Sequence, residues 1–536
     1  MLRLLIASAS LMASALLLAV QPASTSADSM QMSSPARMTR QHHSVSTTNA
    51  QAQASFDQGL TFLYAFNRMA ARHAFERAVA ADPHLAMAQW GIAMSYGSNI
   101  NVTIDESGQR AAYTAASRAQ QLSSGASELD RAWIQAMAAR YTNAPNPDLR
   151  KLDAAYANAM KSLSAKYPDD LDAATFYAES LMDLRPWALY SSTGQPVPGT
   201  LTIVATLESV LRRDPYHIGA NHYYIHATEA STTPERALAA ASRLSSMSFE
   251  PAAAHLVHMP AHTYMRTGAF EAAVTSNEHA TQHDRAYLAG TEDREASSYY
   301  AHNLTMLAYG YGMQGNHTGA AQTRQRLVAE GAFVPGMFVP LRFARWSEII
   351  AMQQPAESSD EPMRVAFWHF SRGMAFASTG DVSQASAELS LVKTARATLK
   401  MPQIPGFTNS ASNLLGIAQD ELGAKIAHAG GDNVSAEAQL EDAVKLQDSL
   451  IYIEPPDWYH PVRESLGGLF VQMGKYAEAE SVFRADLQWN PRNARSLFGL
   501  AAALDGEARR SDAQLVRQQF QDAWRYADTS LTVQAL

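Results

Sequence analysis

The chain has 536 residues, 47% of them hydrophobic and 17% charged, with a mean hydropathy of -0.21, which excludes wholesale disorder and a polytopic membrane protein. Lys plus Arg total 42 against 51 Asp plus Glu, a net charge of -9, so no basic field is available to hold nucleic acid by counterion release. The absence of cysteine excludes disulfides, thiolate nucleophiles, iron–sulfur clusters and zinc ribbons, and leaves His, Asp, Glu, Met and backbone oxygen as metal ligands.

Residues 1–27 read as a secretory leader: Arg3, an apolar run from Leu4 to Val20, a break at Gln21-Pro22, and the small residues Thr25-Ser26-Ala27 for cleavage. No Cys follows to carry a lipid. The expectation is a periplasmic or secreted protein, with no hold on the membrane once the leader is removed. Residues 28–51 are rich in Ser, Thr, Met and Gln without a period, and read as a flexible mature N-terminus.

From Phe56 onward the apolar residues recur at spacings of three and four, with Pro at intervals and no useful strand alternation. Gly59, Phe62, Ala71, Phe75, Ala78 and Asp82-Pro83 stand where two antiparallel helices of a tetratricopeptide repeat (TPR) touch and then stop. Small residues let the helices approach, and Phe75 fills the gap toward the next repeat. The frame returns at Leu466, Gly467, Phe470, Gly474, Ala479, Phe483 and Asn490-Pro491, with weaker copies between. The reading is an all-α, right-handed α-solenoid of tetratricopeptide-like hairpins. It divides into an array over 52–330, an inserted loop region over 331–362 and a second array over 363–536.

Several segments carry a family resemblance: Phe56-Asp57-Gln58-Gly59-Leu60, Trp90-Gly91-Ile92-Ala93, Leu181 to Trp187, Gly219 to His226, His255 to His262, Tyr300-Ala301-His302-Asn303 and Glu454 to Tyr459. Through them the whole chain resembles exported bacterial tetratricopeptide proteins with a His-rich central segment. That resemblance implies the fold and hands over no settled activity.

Nine of the 17 His lie between His217 and His302. Counted in the repeat frame, His222 and His226 face the concave groove from one repeat, with Glu229 one turn further. His255, His258 and His262 face it from the next, and His302 from the one after. Glu179 and Asp183 are expected on the same side, as are Asp420, Glu421 and Glu464 near the C-terminus. His222/His226 and His258/His262 are i, i+4 pairs, which place two imidazoles about 5–6 Å apart on one helix face. Pro260 complicates the second pair, because it kinks or starts a helix there. His279 and His283, a further i, i+4 pair, fall outside the groove frame and read as surface. His42, His43, His73, His84, His317 and His428 read as solvent-facing.

All-nitrogen ligation with some carboxylate points to a divalent transition metal, copper or zinc ahead of iron or nickel. The six His allow one shared ion or two three-His sites. Glu229, Glu179 and Asp183 are the candidates for orienting a ligand or acting as a base in metal-dependent catalysis. The other reading of the groove is a metal-free scaffold that binds a peptide or partner protein, with Asn221, Asn277 and Asn303 as polar contacts. No Gly-rich phosphate loop, Gly-x-Ser-x-Gly elbow or His-Glu-x-x-His motif occurs. Glu454 to Pro461 reads as a rigid, proline-shaped loop.

Overall fold

A computed structural model describes residues 38–358, 361–399 and 408–536. The leader lies outside the described residues. From Ala50 to Ala523 helix follows helix, and among the described residues the only extended pairings are two isolated bridges, Asn99 with Val102 and Tyr190 with Pro196. The protein is an all-α solenoid of tetratricopeptide-like hairpins.

The hairpins close for the reason the small residues suggest. The Phe75 ring, on helix Arg68–Ala81, is fully buried between Gly59 of the preceding helix and Gly91 of the next. A Cβ at Gly59 would sit 2.7 Å from that ring, and one at Gly91 2.4 Å from it. Phe483 repeats the arrangement near the C-terminus, where Cβ atoms at Gly467 and Gly499 would approach its ring to 2.5 and 2.1 Å. Each aromatic thus fills the seam between three consecutive helices, and glycine makes room for it.

Two parts of the chain depart from the sequence reading. Met38 to Asn49, assigned to a flexible terminus, is tied down by four different elements. Thr39 N–H donates to the Ser248 carbonyl at 2.7 Å, and Gln41 N–H to Thr61 Oγ1 at 2.9 Å. Ser46 N–H donates to Asp130 Oδ2 at 2.9 Å, and His43 is buried with its Nδ1 2.9 Å from Asp172 Oδ2. His43 is therefore not solvent-facing: a buried carboxylate from a distant repeat captures it, and no local pattern announces that. The 331–362 region is likewise not all loop. It holds the helices Phe333–Arg342 and Trp346–Ala351, which bury Val334, Met337, Phe338 and Ile349.

The apolar interior divides elsewhere. One core runs from Val45 to Met259 and a second from Ala261 to Val516, so the division falls at Pro260, inside the His-rich segment. Proline has no N–H for the Leu256 carbonyl, and the helix breaks into Ala254–His258 and Pro260–Arg266. Met259 keeps helical angles between them, so a single residue of helical backbone separates the two.

Candidate metal centre

The histidines come together at this division. His222, His226 and His255 each offer a ring nitrogen within 4.8 Å of the others, and so do His258, His262 and His302. His226, Glu229 and His262 form a third such group that joins the two sets. His222 and His226 lie on helix Ile218–Thr228, every residue of which is buried. Gly219 brings that helix against Tyr64, whose ring would lie 2.2 Å from a Cβ at that position. The carbonyl of the same Tyr64 accepts the Nδ1–H of His222 at 2.7 Å.

Four of the six rings are oriented in this way from behind. His226 Nδ1–H donates to Glu229 Oε1 at 2.8 Å, and His262 Nδ1–H donates to Glu229 Oε2. His258 Nδ1–H donates to Asn277 Oδ1 at 2.7 Å. The Asn277 amide is itself fixed, because its Nδ2 donates to the Ala273 carbonyl at 3.0 Å. Tyr64 O, Glu229 and Asn277 Oδ1 only accept, so each Nδ1 carries the hydrogen and each neutral ring presents a bare Nε2. Those Nε2 atoms converge. His258 and His262 face each other at 2.7 Å, His302 reaches His258 at 3.1 Å, and His255 reaches His222 at 3.1 Å. His226 Nε2 is buried and has no partner among the described residues.

Burial and mutual repulsion hold most of these rings neutral. Burial lowers the pKa values of His222, His255 and His258 well below 6.5, with the neighbouring imidazoles adding to it. His302 is pushed down to about 3, first by burial and then by His262. His226 is lowered by burial against the pull of Glu229. His262 is the exception: burial opposes its charge, yet Glu229 keeps it raised. Burial alone would raise Glu229, but His262 and His226 outweigh it and bring the carboxyl down to about 2. The 2.7 Å between His258 Nε2 and His262 Nε2 is hydrogen-bond distance, so without an ion one hydrogen is shared between them. A divalent cation would replace it.

The expected open groove is, at this point, a covered pocket. The Phe66 ring caps the first set, with centroids 4.6 Å from His222 and 5.3 Å from His255. Phe66 does so from a left-handed backbone, φ 57°, unusual for a residue with a side chain. Tyr299 packs on His255 at 4.8 Å, and Trp187 stands edge-on to His226 at 5.7 Å. Beyond them lies a cavity of about 770 Å³, onto which His226, His255, His262, His302 and Glu454 open.

Of the other residues expected on this side, Glu229 is at the centre, whereas Glu179 and Asp183 are not. They are buried in another part of the array, where Asp183 Oδ2 accepts from Arg140 at 2.5 Å. Glu421 and Glu464 face a separate cavity near the C-terminus, where Arg342 and Arg495 hold Glu464. His279 is exposed and His283 half-buried, both outside the two His sets. Sequence reasoning missed the Tyr64 carbonyl, Phe66 and Tyr299, all distant in the chain from the ligands they touch. Asn277 was read as a peptide contact and is instead an anchor for His258. Its one signal was polarity in the interior of a helix otherwise packed by Ala273 and Ala280.

No family model and no curated protein matches the chain. Among solved structures, a human IFIT1 dimer with PPP-AAAA is 12% identical, with 87% of this chain and 90% of that chain covered, at a TM-score of 0.33. Yeast Tom70 is also 12% identical, with 89% and 92% covered, at a TM-score of 0.29. Similarity at this level carries no argument about the site.

Proposed function

We propose that the protein binds two transition-metal ions, one in each three-histidine set, with Glu229 orienting a ligand of both. The observation that carries this reading is the fixed tautomer of His222, His226, His258 and His262. Each is anchored at Nδ1 by an acceptor, which is how metal-ligating imidazoles are oriented. Three nitrogen ligands per ion leave a coordination position open, and the cavity provides access to it. Imidazole ligation suits zinc, copper, iron and nickel, and copper or zinc is proposed, copper heading the affinity order of the first-row divalent ions. Such an ion would supply Lewis-acid or redox chemistry to a small molecule in the cavity, and Glu229 stays occupied with its two histidines.

Burial speaks against the scaffold alternative at this site. His222 and His258 are wholly inaccessible, and a peptide laid in a groove needs side chains it can touch. The leader-like start supports export as part of the same proposal. The test is elemental analysis of untagged protein purified from periplasmic or secreted material. About two equivalents of copper or zinc per chain are expected, and metal-free protein that takes up neither ion would refute the reading.

A further inference from the structure

Glu454 is the unexplained carboxyl in the cavity, and burial pushes its pKa up to about 7. It is buried, 3% exposed, and Tyr452 O–H donates to its Oε1. Its Oε2 is buried with no hydrogen-bond partner among the described residues. A buried carboxyl oxygen without a donor is costly to desolvate, so it calls for one.

The other buried or half-buried carboxylates on the cavity wall have theirs. Asp457 accepts from Thr408 N–H, Asn409 N–H and Asn409 Nδ2 at 3.1, 2.8 and 2.9 Å. Glu361 accepts from Val334 N–H and from Arg364, and Glu295 pairs with Arg68. Arg364 is the one Lys or Arg on the described wall, and Glu361 already holds it. Without a bound metal, an anionic ligand would therefore find no free Lys or Arg on the described wall and would meet Glu454. The rest of the lining includes the aromatic rings of Trp187, Tyr299, Phe338 and Tyr459.

We infer that this cavity takes a small molecule bearing a protonated amine, whose N–H donates to Glu454 Oε2 while aromatic rings of the wall cover its apolar body. Charge-assisted pairing and cation–π attraction both favour an ammonium over a neutral isostere in such a place. What happens to the bound molecule rests on the metal reading. The selection of the amine rests on Glu454 alone.

The test is calorimetric titration of full-length protein with three probes of one size: 2-phenylethylamine, 2-phenylethanol and phenylacetate. It is run on protein loaded with zinc or copper and on protein dialysed against a chelator. In the chelator-dialysed protein the amine is expected to bind about tenfold or more tighter than the alcohol, and phenylacetate least. In Glu454→Gln the amine should fall to the level of the alcohol, with alcohol binding and metal content unchanged. Equal or tighter binding of the alcohol or phenylacetate by the metal-free wild-type protein overturns the inference, as does binding of none of the three. Since that comparison needs no variant, a Glu454→Gln protein that fails to fold leaves it decisive. Amine preference without metal uptake would refute the metal reading alone, and metal uptake without amine preference would refute this inference alone.

Discussion

His258 and His262 meet Nε2 to Nε2 at 2.7 Å across Pro260, the residue at which the two apolar cores divide. Both rings are anchored at Nδ1, so two lone pairs face one another unless something positive lies between them. At that separation a hydrogen shared between the two nitrogens serves in the bare protein. A transition metal bonds imidazole nitrogen at about 2.0–2.1 Å, close enough to draw on both rings after a small opening.

The two sets are expected to load separately. In His222→Ala with His255→Ala, metal content by mass spectrometry should fall by about half, because His258, His262 and His302 remain. Complete loss would show a single shared ion instead. Replacing His226 and His262 together takes one ligand from each set and should remove most of the metal. Far-ultraviolet circular dichroism should then stay strongly helical.

Glu229 holds one ring of each set, so its effect should be felt in both. In Glu229→Gln one amide oxygen can accept from one histidine, while the NH2 group faces the other ring's N–H. Removal of such an orienting partner weakens metal binding about 10–100-fold. Competition against a chromophoric chelator should show that loss for both equivalents. An effect confined to one would mean that the carboxylate orients a single ring.

Stability should change at the far end of the array without any effect on the metal. In Gly467→Ala the new methyl would stand 2.5 Å from the Phe483 ring, which has helices on both sides and cannot retreat. Overpacking of this kind costs about 1–3 kcal/mol, readable as a lower Tm, and the metal content should match that of the wild-type protein.

The N-terminal segment should come loose in alkali. Burial works against a charge on His43, but Asp172 and its neighbours outweigh it and raise the pKa from 6.5 to about 9. The stability this pair contributes is fully present below about pH 6.5. It is lost as the pH climbs through about 9, where the folded-state imidazole gives up its proton. The shift corresponds to about 3 kcal/mol. Limited proteolysis near Arg40 should therefore accelerate between pH 7 and pH 10 in the wild-type protein, and His43→Ala should be cut rapidly across that range. A rate that is flat with pH in both would mean that the other contacts of Met38 to Asn49 hold the segment unaided.

The sequence by itself determined the helical repeat and the identity of the histidines. Gly59, Phe75, Gly467 and Phe483 recur in one frame because each hairpin needs the same small and large residues at its seam, so local spacing carries that information. The same frame brings His222, His226, His258, His262 and His302 to one side, since side-chain direction follows helical register. Only the tertiary structure decided what surrounds them. The Tyr64 carbonyl, Phe66 and Glu454 come from distant parts of the chain, and no spacing relates them to the histidines. Tertiary packing also carried Glu179 and Asp183 to Arg140 and buried His43 on Asp172. Register fixes the direction of a side chain, whereas the partner that satisfies a buried charge is set by which helices stack against it.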